Sequence, residues 1–261
     1  MPSQRNKTKI VLLGGLGLIG KTLASGLSNK YDVLIADVEE DAPELEHPYL
    51  HIDVSCLSQL MERLPQHTEV IVNLTALAEM ESVVGTAQFT AMENVYVTGS
   101  YNVFLAAQNL NIPKVVYAST NHVSGFYEEN GRSILGREIS VNDYPLANNV
   151  YGAMKLCGEQ FGRLLSSRSN LSVICLRIGT VVDDEYSFLL RNDRGRRTIL
   201  SKTDLVDIFD KSIASDVHFG LYFAVSDNPE KPWSIQEAIS ELGYSPRKNS
   251  EVILNLGRQQ T

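Results

Sequence analysis

Apolar residues along this chain gather into short unbroken runs: Ile10 to Leu13, Val33 to Ala36, Tyr49 to Ile52, Val70 to Leu74, Val115 to Ala118 and Leu171 to Leu176. Runs this short, without polar alternation, suit strands buried on both faces of a parallel sheet. Between most of them apolar positions recur at helical spacing, and the two longest such stretches are Phe89 to Leu110 and Asn148 to Ser167. Strand and helix in alternation predict an α/β fold built on a doubly wound parallel sheet. After Arg177 the regularity loosens. An arginine-rich loop at Arg191 to Arg197 leads to a helix from near Thr203, a strand at Phe219 to Val225 and a last helix from about Ser234 to Leu242, ended by Gly243. The expected division is a frayed tail over 1–9, a sheet domain over 10–178 and a small C-terminal substrate lobe over 179–261, within one compact unit.

With 261 residues, 43% of them apolar, the chain has material for one full core. It contains no uncharged apolar stretch of the roughly 18 residues that a spanning helix needs. Met1 to Lys9 lacks the apolar segment of a secretory signal, so a cytoplasmic protein is expected. A net charge of −8 argues against nucleic acid or an anionic membrane as partner, because phosphate is bound by clustered basic surface. Cys56, Cys157 and Cys175 show neither pairing nor metal-ligand spacing, and no metal is expected. Cys157 on a helix and Cys175 in a strand run read as buried free thiols.

The segment Leu13-Gly14-Gly15-Leu16-Gly17-Leu18-Ile19-Gly20 follows the first apolar run and opens a stretch with Ile19, Leu23 and Leu27 at helical spacing. In that context Gly14, Gly17 and Gly20 allow a tight turn, a close approach to a pyrophosphate and helix-on-sheet packing, with the anion held at the helix start by Leu18 and Ile19. Asp37 stands about twenty residues beyond Gly17, at the end of the second run, where a carboxylate accepts hydrogen bonds from ribose hydroxyls. A plain surface-turn cap is the other reading of Asp37. Its neighbours Val38, Glu39, Glu40 and Asp41 include no arginine to hold a ribose phosphate. A carboxylate about 4 Å from such a phosphate is repelled by roughly 4 kcal/mol at an effective dielectric of 20, so NAD is expected over NADP.

Tyr151 and Lys155 are one helical turn apart, and Ser119-Thr120-Asn121-His122 precede them by about thirty residues. An ammonium beside a phenol favours the phenolate. Working as a base at neutral pH requires stabilising that phenolate by roughly 4 kcal/mol. Tyr151 is then the base and Lys155 the charge that lowers its pKa.

Taken together these residues resemble the extended short-chain dehydrogenase/reductase superfamily, over almost the whole chain. Gly14, Gly17 and Gly20 meet its Gly-x-x-Gly-x-x-Gly pattern, with Leu13 where a threonine is usual. Asp53-Val54 looks like its adenine-contacting pair, and Asn73-Leu74-Thr75-Ala76 occupies the strand end near the nicotinamide ribose. Asn94-Val95 with Gly99-Ser100-Tyr101-Asn102-Val103 resembles its Asn-Val-x-Gly-Thr-x-Asn helix start. The words at 118–127, 151–155, 176–180 and 226–228 are most similar to uronate dehydrogenases and their sugar-oxidising relatives.

That resemblance implies a Rossmann-like fold and oxidation of the anomeric hydroxyl of a hexuronate to a lactone, with hydride passed to NAD. It puts Thr120 in the catalytic serine's place as a hydroxyl partner to the reacting oxygen, adds Asp53, Val54, Leu74, Asn94, Tyr151, Lys155 and Ile178 to the cofactor residues, with Lys155 holding the ribose, and adds Asn121, His122, Thr180 and Arg194 to the substrate contacts. It also implies a homodimer or higher homo-oligomer paired through the two long helices. Two departures stand out: Ala78 replaces a serine that would donate to the sugar, and the loop before Ser201 is longer and carries Arg191, Arg194, Arg196 and Arg197. Such guanidinium forks suit a carboxylate or a sugar phosphate, and a solvated loop is the competing reading. His122 reads as a hydrogen-bonding or packing group or as a second base. A nucleotide-sugar epimerase or dehydratase and a non-catalytic NAD-sensing protein remain alternatives on the same cofactor residues.

Overall fold

The computed structural model describes residues 7–40, 45–77 and 85–259; Ala78 and most of the N-terminal tail lie outside the described residues. In chain order the strands are β1 (Lys9–Leu13), β2 (Asp32–Asp37), β3 (Tyr49–His51), β4 (Val70–Asn73), β5 (Lys114–Thr120), the short pair β6 (Glu128–Glu129) and β7 (Arg132–Ser133), β8 (Ser172–Ile178) and β9 (Phe219–Ala224). All but β6 and β7 form one sheet in the order β3-β2-β1-β4-β5-β8-β9, every pair parallel. This is the expected Rossmann-like doubly wound arrangement. Strand order reverses between β1 and β4, which opens a crevice beyond their carboxyl ends.

The helices are α1 (Leu18–Leu27), α2 (Leu57–Arg63), α3 (Thr86–Met92), α4 (Ser100–Asn109), α5 (Val150–Ser166), α6 (Glu185–Arg191), α7 (Asp193–Thr198), α8 (Lys202–Ala214) and α9 (Ser250–Arg258). Successive residues of a strand face opposite ways, so β1 feeds two cores. Ile10 and Leu12 pack with Leu23, Leu27, Ile208 and Phe209 of α1 and α8. Val11 and Leu13 pack with Leu60, Val103, Phe104 and Tyr117 on the other face. Each such side chain, fully buried, contributes about 1.5–3 kcal/mol.

The expected helix over Phe89 to Leu110 runs from Thr86, and its middle, Glu93–Gly99, is a π-helix joining α3 to α4. The last predicted helix is shorter than expected, a π segment over Ala238–Leu242 ended by Gly243 at φ 73, and α9 follows it unanticipated. The arginine-rich stretch is not a loop. Asp184 and Asn192 accept hydrogen bonds from Ser187 N and Gly195 N and so cap two consecutive helices, α6 and α7. Gly195, which reads as a turn signal, instead lets α7 pack closely: a Cβ there would lie 2.3 Å from Phe188.

Cys175 is buried as expected, whereas Cys157 is exposed, because it lies on the outer side of α5. The segment after 178 is not set apart from the sheet. It contributes β9 to the sheet edge and α8 to one face, while α6, α7 and α9 pack on one another around Leu189, Ile199 and Ile253.

Candidate active site

Gly14 leaves β1 with a φ of 75, and its N–H, like that of Gly15, donates to Ala36 O of β2. A Cβ on Gly14 would lie 2.8 Å from the Thr75 backbone, and one on Gly20 would lie 2.4 Å from Gly15 O. Those two glycines are required for close packing. Gly17 differs: a Cβ there would meet only Gly14 O, at 3.6 Å, so the space above it is open. α1 starts next to that space with no side-chain cap and no acidic residue in its first turn, leaving backbone N–H groups for an anion.

Asp37 takes the capping role read from its position. Its carboxylate accepts from Leu16 N at 2.9 Å and from Val38 N at 2.8 Å, which ties the glycine turn to the end of β2. Two oxygens with about four acceptor sites retain capacity for ribose hydroxyls. Asp53 caps the next corner by accepting from Ser55 N, and Asn102 secures that corner by donating to Val54 O and Ser55 O. Val54 is held against Gly99, where a Cβ would come within 2.7 Å of it.

A cavity of about 330 Å³ lies at the crevice, lined by Gly14, Gly17, Leu18, Ile19, Gly20 and Leu74 and, facing them, Thr120, Tyr151, Lys155 and Ile178. Four groups expected at the cofactor do not line it: Asp37, Asp53, Val54 and Asn94. The first three stand at the ends of β2 and β3, toward the adenosine side. Asn94 is exposed on the π-helix, and the residue that segment turns inward is Tyr96. A larger groove of about 980 Å³ between α1 and α8 contains neither Tyr151 nor Lys155.

α5 carries Tyr151, Lys155 and Glu159 at intervals of one turn, so they share a face. Its start is fixed by Asn149, whose side-chain oxygen accepts from Gly152 N and whose amide donates to His122 Nδ1 at 3.0 Å. Lys155 is 2% exposed and donates to Thr75 O at 3.2 Å and Ala118 O at 2.9 Å. Its ammonium also faces the Tyr96 and Tyr117 rings, 5.0 and 5.1 Å from their centroids. Burial, with no carboxylate beside it, pushes its pKa down to about 7.

Tyr151 packs edge-on to Tyr96, 5.1 Å between centroids, and the Tyr96 hydroxyl accepts from Leu77 N. Burial and the neighbouring Tyr96 push the Tyr151 pKa up, while a hydrogen bond from Thr120 pulls it back. The expectation that Lys155 lowers this pKa is therefore corrected. The Lys155 nitrogen lies 6.0 Å from the Tyr151 ring centroid and spends its donors on backbone carbonyls.

The residues expected to meet a substrate lie on the 3₁₀ segment Asn121–Tyr127, just after β8 and on α7, and Asn121, His122, Thr180 and Arg194 do not line the cavity. Thr120 caps the 3₁₀ segment by accepting from His122 N, and Asn121 is buried behind it. His122 is held below its ordinary pKa by burial and by Arg194. Thr180 does not line the cavity, although its neighbours Gly179 and Val181 do; its hydroxyl pairs with Thr198 of α7 at 2.9 Å.

Arg194 is not free to meet a ligand with its full charge. Its Nε and Nη2 donate to the two carboxylate oxygens of Glu128 at 3.1 and 2.7 Å. The other arginines of the stretch are engaged on protein groups or exposed: Arg196 donates to Leu189 O, Arg197 pairs with Asp193 and Glu230, and Arg191 is exposed. Glu128, Tyr96, Asn149 and Glu159 are the site residues that sequence reasoning missed. The spacing of Glu159 from Lys155 was the one available signal.

Three comparisons bear on this geometry. A 43% identical relative, the uncharacterized protein YtbQ of Bacillus subtilis, aligns over 95% of this chain and 97% of its own length. An NAD-dependent glucose-6-phosphate dehydrogenase of Haloferax volcanii is 25% identical over 92% of this chain and 94% of its own. A uronate dehydrogenase of Pseudomonas syringae pv. tomato is 25% identical over 94% and 83%. The model of the NAD dependent epimerase/dehydratase family matches residues 10–187, which span the glycine turn, Asp37, Tyr151 and Lys155. The cofactor is NAD, and the chain belongs to the NAD dependent epimerase/dehydratase family.

Proposed function

We propose that the protein is an NAD-dependent dehydrogenase that oxidises the anomeric hydroxyl of a cyclic sugar to the lactone. The observation that carries this reading is the convergence of Thr120, Tyr151 and Lys155 on one wall of a cavity whose opposite wall is the glycine turn. Relatives named as glucose-6-phosphate and uronate dehydrogenases support the sugar class.

When bound, NAD supplies the acceptor for the hydride and a positive charge beside the phenol. Tyr151, as phenolate, accepts the proton of the sugar hydroxyl. Thr120, on the same wall as Tyr151, places a hydroxyl against the same oxygen. Lys155, donating to Thr75 O and Ala118 O, pins the helix that carries the phenol to the ends of β4 and β5. Gly14, Gly17 and Gly20, across the cavity from Tyr151 and Ile178, would hold the dinucleotide together with Asp37.

The test is the rise of NADH absorbance with a panel of aldoses, hexuronates and glucose 6-phosphate. Sustained NADH formation with at least one sugar is expected. No net NADH with any of them, together with NAD that copurifies, supports an epimerase or dehydratase in its place.

A further inference from the structure

We propose that Glu128 determines specificity, cancelling the charge of Arg194 on the substrate wall and so fitting the site to an uncharged aldose over a uronate or sugar phosphate. This rests on the dehydrogenase reading and names its substrate class.

Glu128 is a built partner of Arg194. Its side chain is 11% exposed against 37% for Arg194, and besides two hydrogen bonds from the guanidinium it accepts a third from Gly131 N. The hairpin that carries it is fitted onto α7: Gly131 turns at φ 80, and a Cβ there would lie 3.1 Å from Arg194 O. The pair adjoins the catalytic wall: Thr198, one turn after Arg194, donates to Arg194 O and pairs with Thr180, whose neighbours Gly179 and Val181 line the cavity, and the His122 ring centroid is 6.0 Å from that of Tyr151.

Charge on this wall is therefore balanced. A substrate carboxylate or phosphate at Arg194 would either share the guanidinium beside a second anion or displace Glu128 and leave it largely buried without a counter-charge. Both weaken binding. An uncharged sugar meets no such conflict. One hydroxyl can accept from Arg194 Nη1, which Glu128 leaves unused, and donate to a Glu128 oxygen.

The experiment compares kcat/KM for sugars that differ only at C6, glucose with glucuronate and galactose with galacturonate, with glucose 6-phosphate as the phosphate arm. The wild-type protein is expected to prefer the uncharged member of each pair by at least tenfold. Glu128→Gln, which uncovers the guanidinium, should move the ratio at least tenfold toward the acid, mainly through KM. Glu128→Asp should retain the wild-type order. Calorimetric titration of galacturonate into the NAD-loaded protein should show the same gain in the Gln variant. Preference of the wild type for the acids or for the phosphate overturns the inference, and so does an unchanged ratio in a folded Gln variant. If Glu128→Gln does not fold, the wild-type pairs decide alone. Absence of turnover with every sugar overturns the dehydrogenase reading itself, and this inference with it.

Discussion

The guanidinium of Arg177 on β8 lies flat against the carboxylate of Glu159 on α5, with Nε and Nη2 at 2.9 and 2.8 Å and both side chains sealed from solvent. Ser119, on the cavity wall, donates to the same carboxylate at 2.6 Å. This knot ties the helix bearing Tyr151 and Lys155 to two strands of the sheet. Removing one member of a buried pair typically costs 3–5 kcal/mol, because the other charge is left uncompensated. Glu159→Gln should accordingly lower the melting temperature by roughly 10 °C, and the double change Glu159→Leu with Arg177→Met should recover most of it. A melt of Glu159→Gln within 2 °C or so of wild type would show that the pair contributes little.

Thr120 and Tyr151 come to one cavity wall from β5 and α5, so their contributions can be separated. Tyr151→Phe should cut turnover by about 10²–10⁴-fold, the usual contribution of a positioned base, with NAD affinity nearly unchanged. Thr120→Ala should lose about 10–100-fold, the worth of one hydrogen bond to a charged group, and Thr120→Ser far less. Steady-state rates beside NAD titrations check this, and full activity in Tyr151→Phe would remove it from the base role.

Lys155 titrates at about 7 in the fold against 10.5 when exposed. The native protein thus binds fewer protons than the unfolded chain between those values, and stability rises with pH across that window. Below pH 7 both states carry the charge and its burial costs about 5 kcal/mol; above 10.5 neither does. Lys155→Met abolishes this titration. Urea unfolding should find the variant's advantage over wild type greatest near pH 6 and shrinking steadily toward pH 10, and a gap independent of pH would contradict the assignment.

Gly14 and Gly17 should fail differently. Gly14→Ala places a Cβ against the Thr75 backbone at positive φ, so it should destabilise the protein by at least about 2 kcal/mol. Gly17→Ala meets only Gly14 O at 3.6 Å and should leave stability within about 1 kcal/mol while abolishing NAD binding, because the methyl group fills the space a pyrophosphate requires. Thermal melts paired with NAD titrations separate the two effects. Tight NAD binding by Gly17→Ala would place the pyrophosphate elsewhere.

Asp37 should reject the ribose phosphate. Repulsion of roughly 4 kcal/mol corresponds to an NAD preference on the order of 10²–10³, and Asp37→Ala should narrow it mainly by improving NADP. Equal use of both cofactors by the wild type would show that Asp37 is spent on Leu16 and Val38 alone.

Strand positions were legible because unbroken apolar runs have few other outcomes in a chain this size, and β1, β2, β4, β5 and β8 fall on them. The glycine turn and the Tyr151–Lys155 face were legible because their spacing is local. What escaped is non-local or depends on helical register. The arginines read as ligands or loop because a linear sequence does not show that Glu128, 66 positions away, lies against Arg194. Tyr96 escaped because a π segment shifts which side chain of that helix faces inward, and the lowering of the Tyr151 pKa failed because Lys155 points at backbone carbonyls.

The β8–β9 ladder, six paired residues long from Val173 to Ile178, leads into Gly179, after which α6 and then the Arg194 helix follow. The last third of the chain, where the proposed substrate residues Thr180 and Arg194 lie, is thus joined to the same hydrogen-bonded sheet whose first turn would hold the dinucleotide. Exchanging residues 179 onward for those of another enzyme would strip an edge from that array, so new selectivity in this scaffold is better sought by single replacements around the hairpin than by transplanting a module.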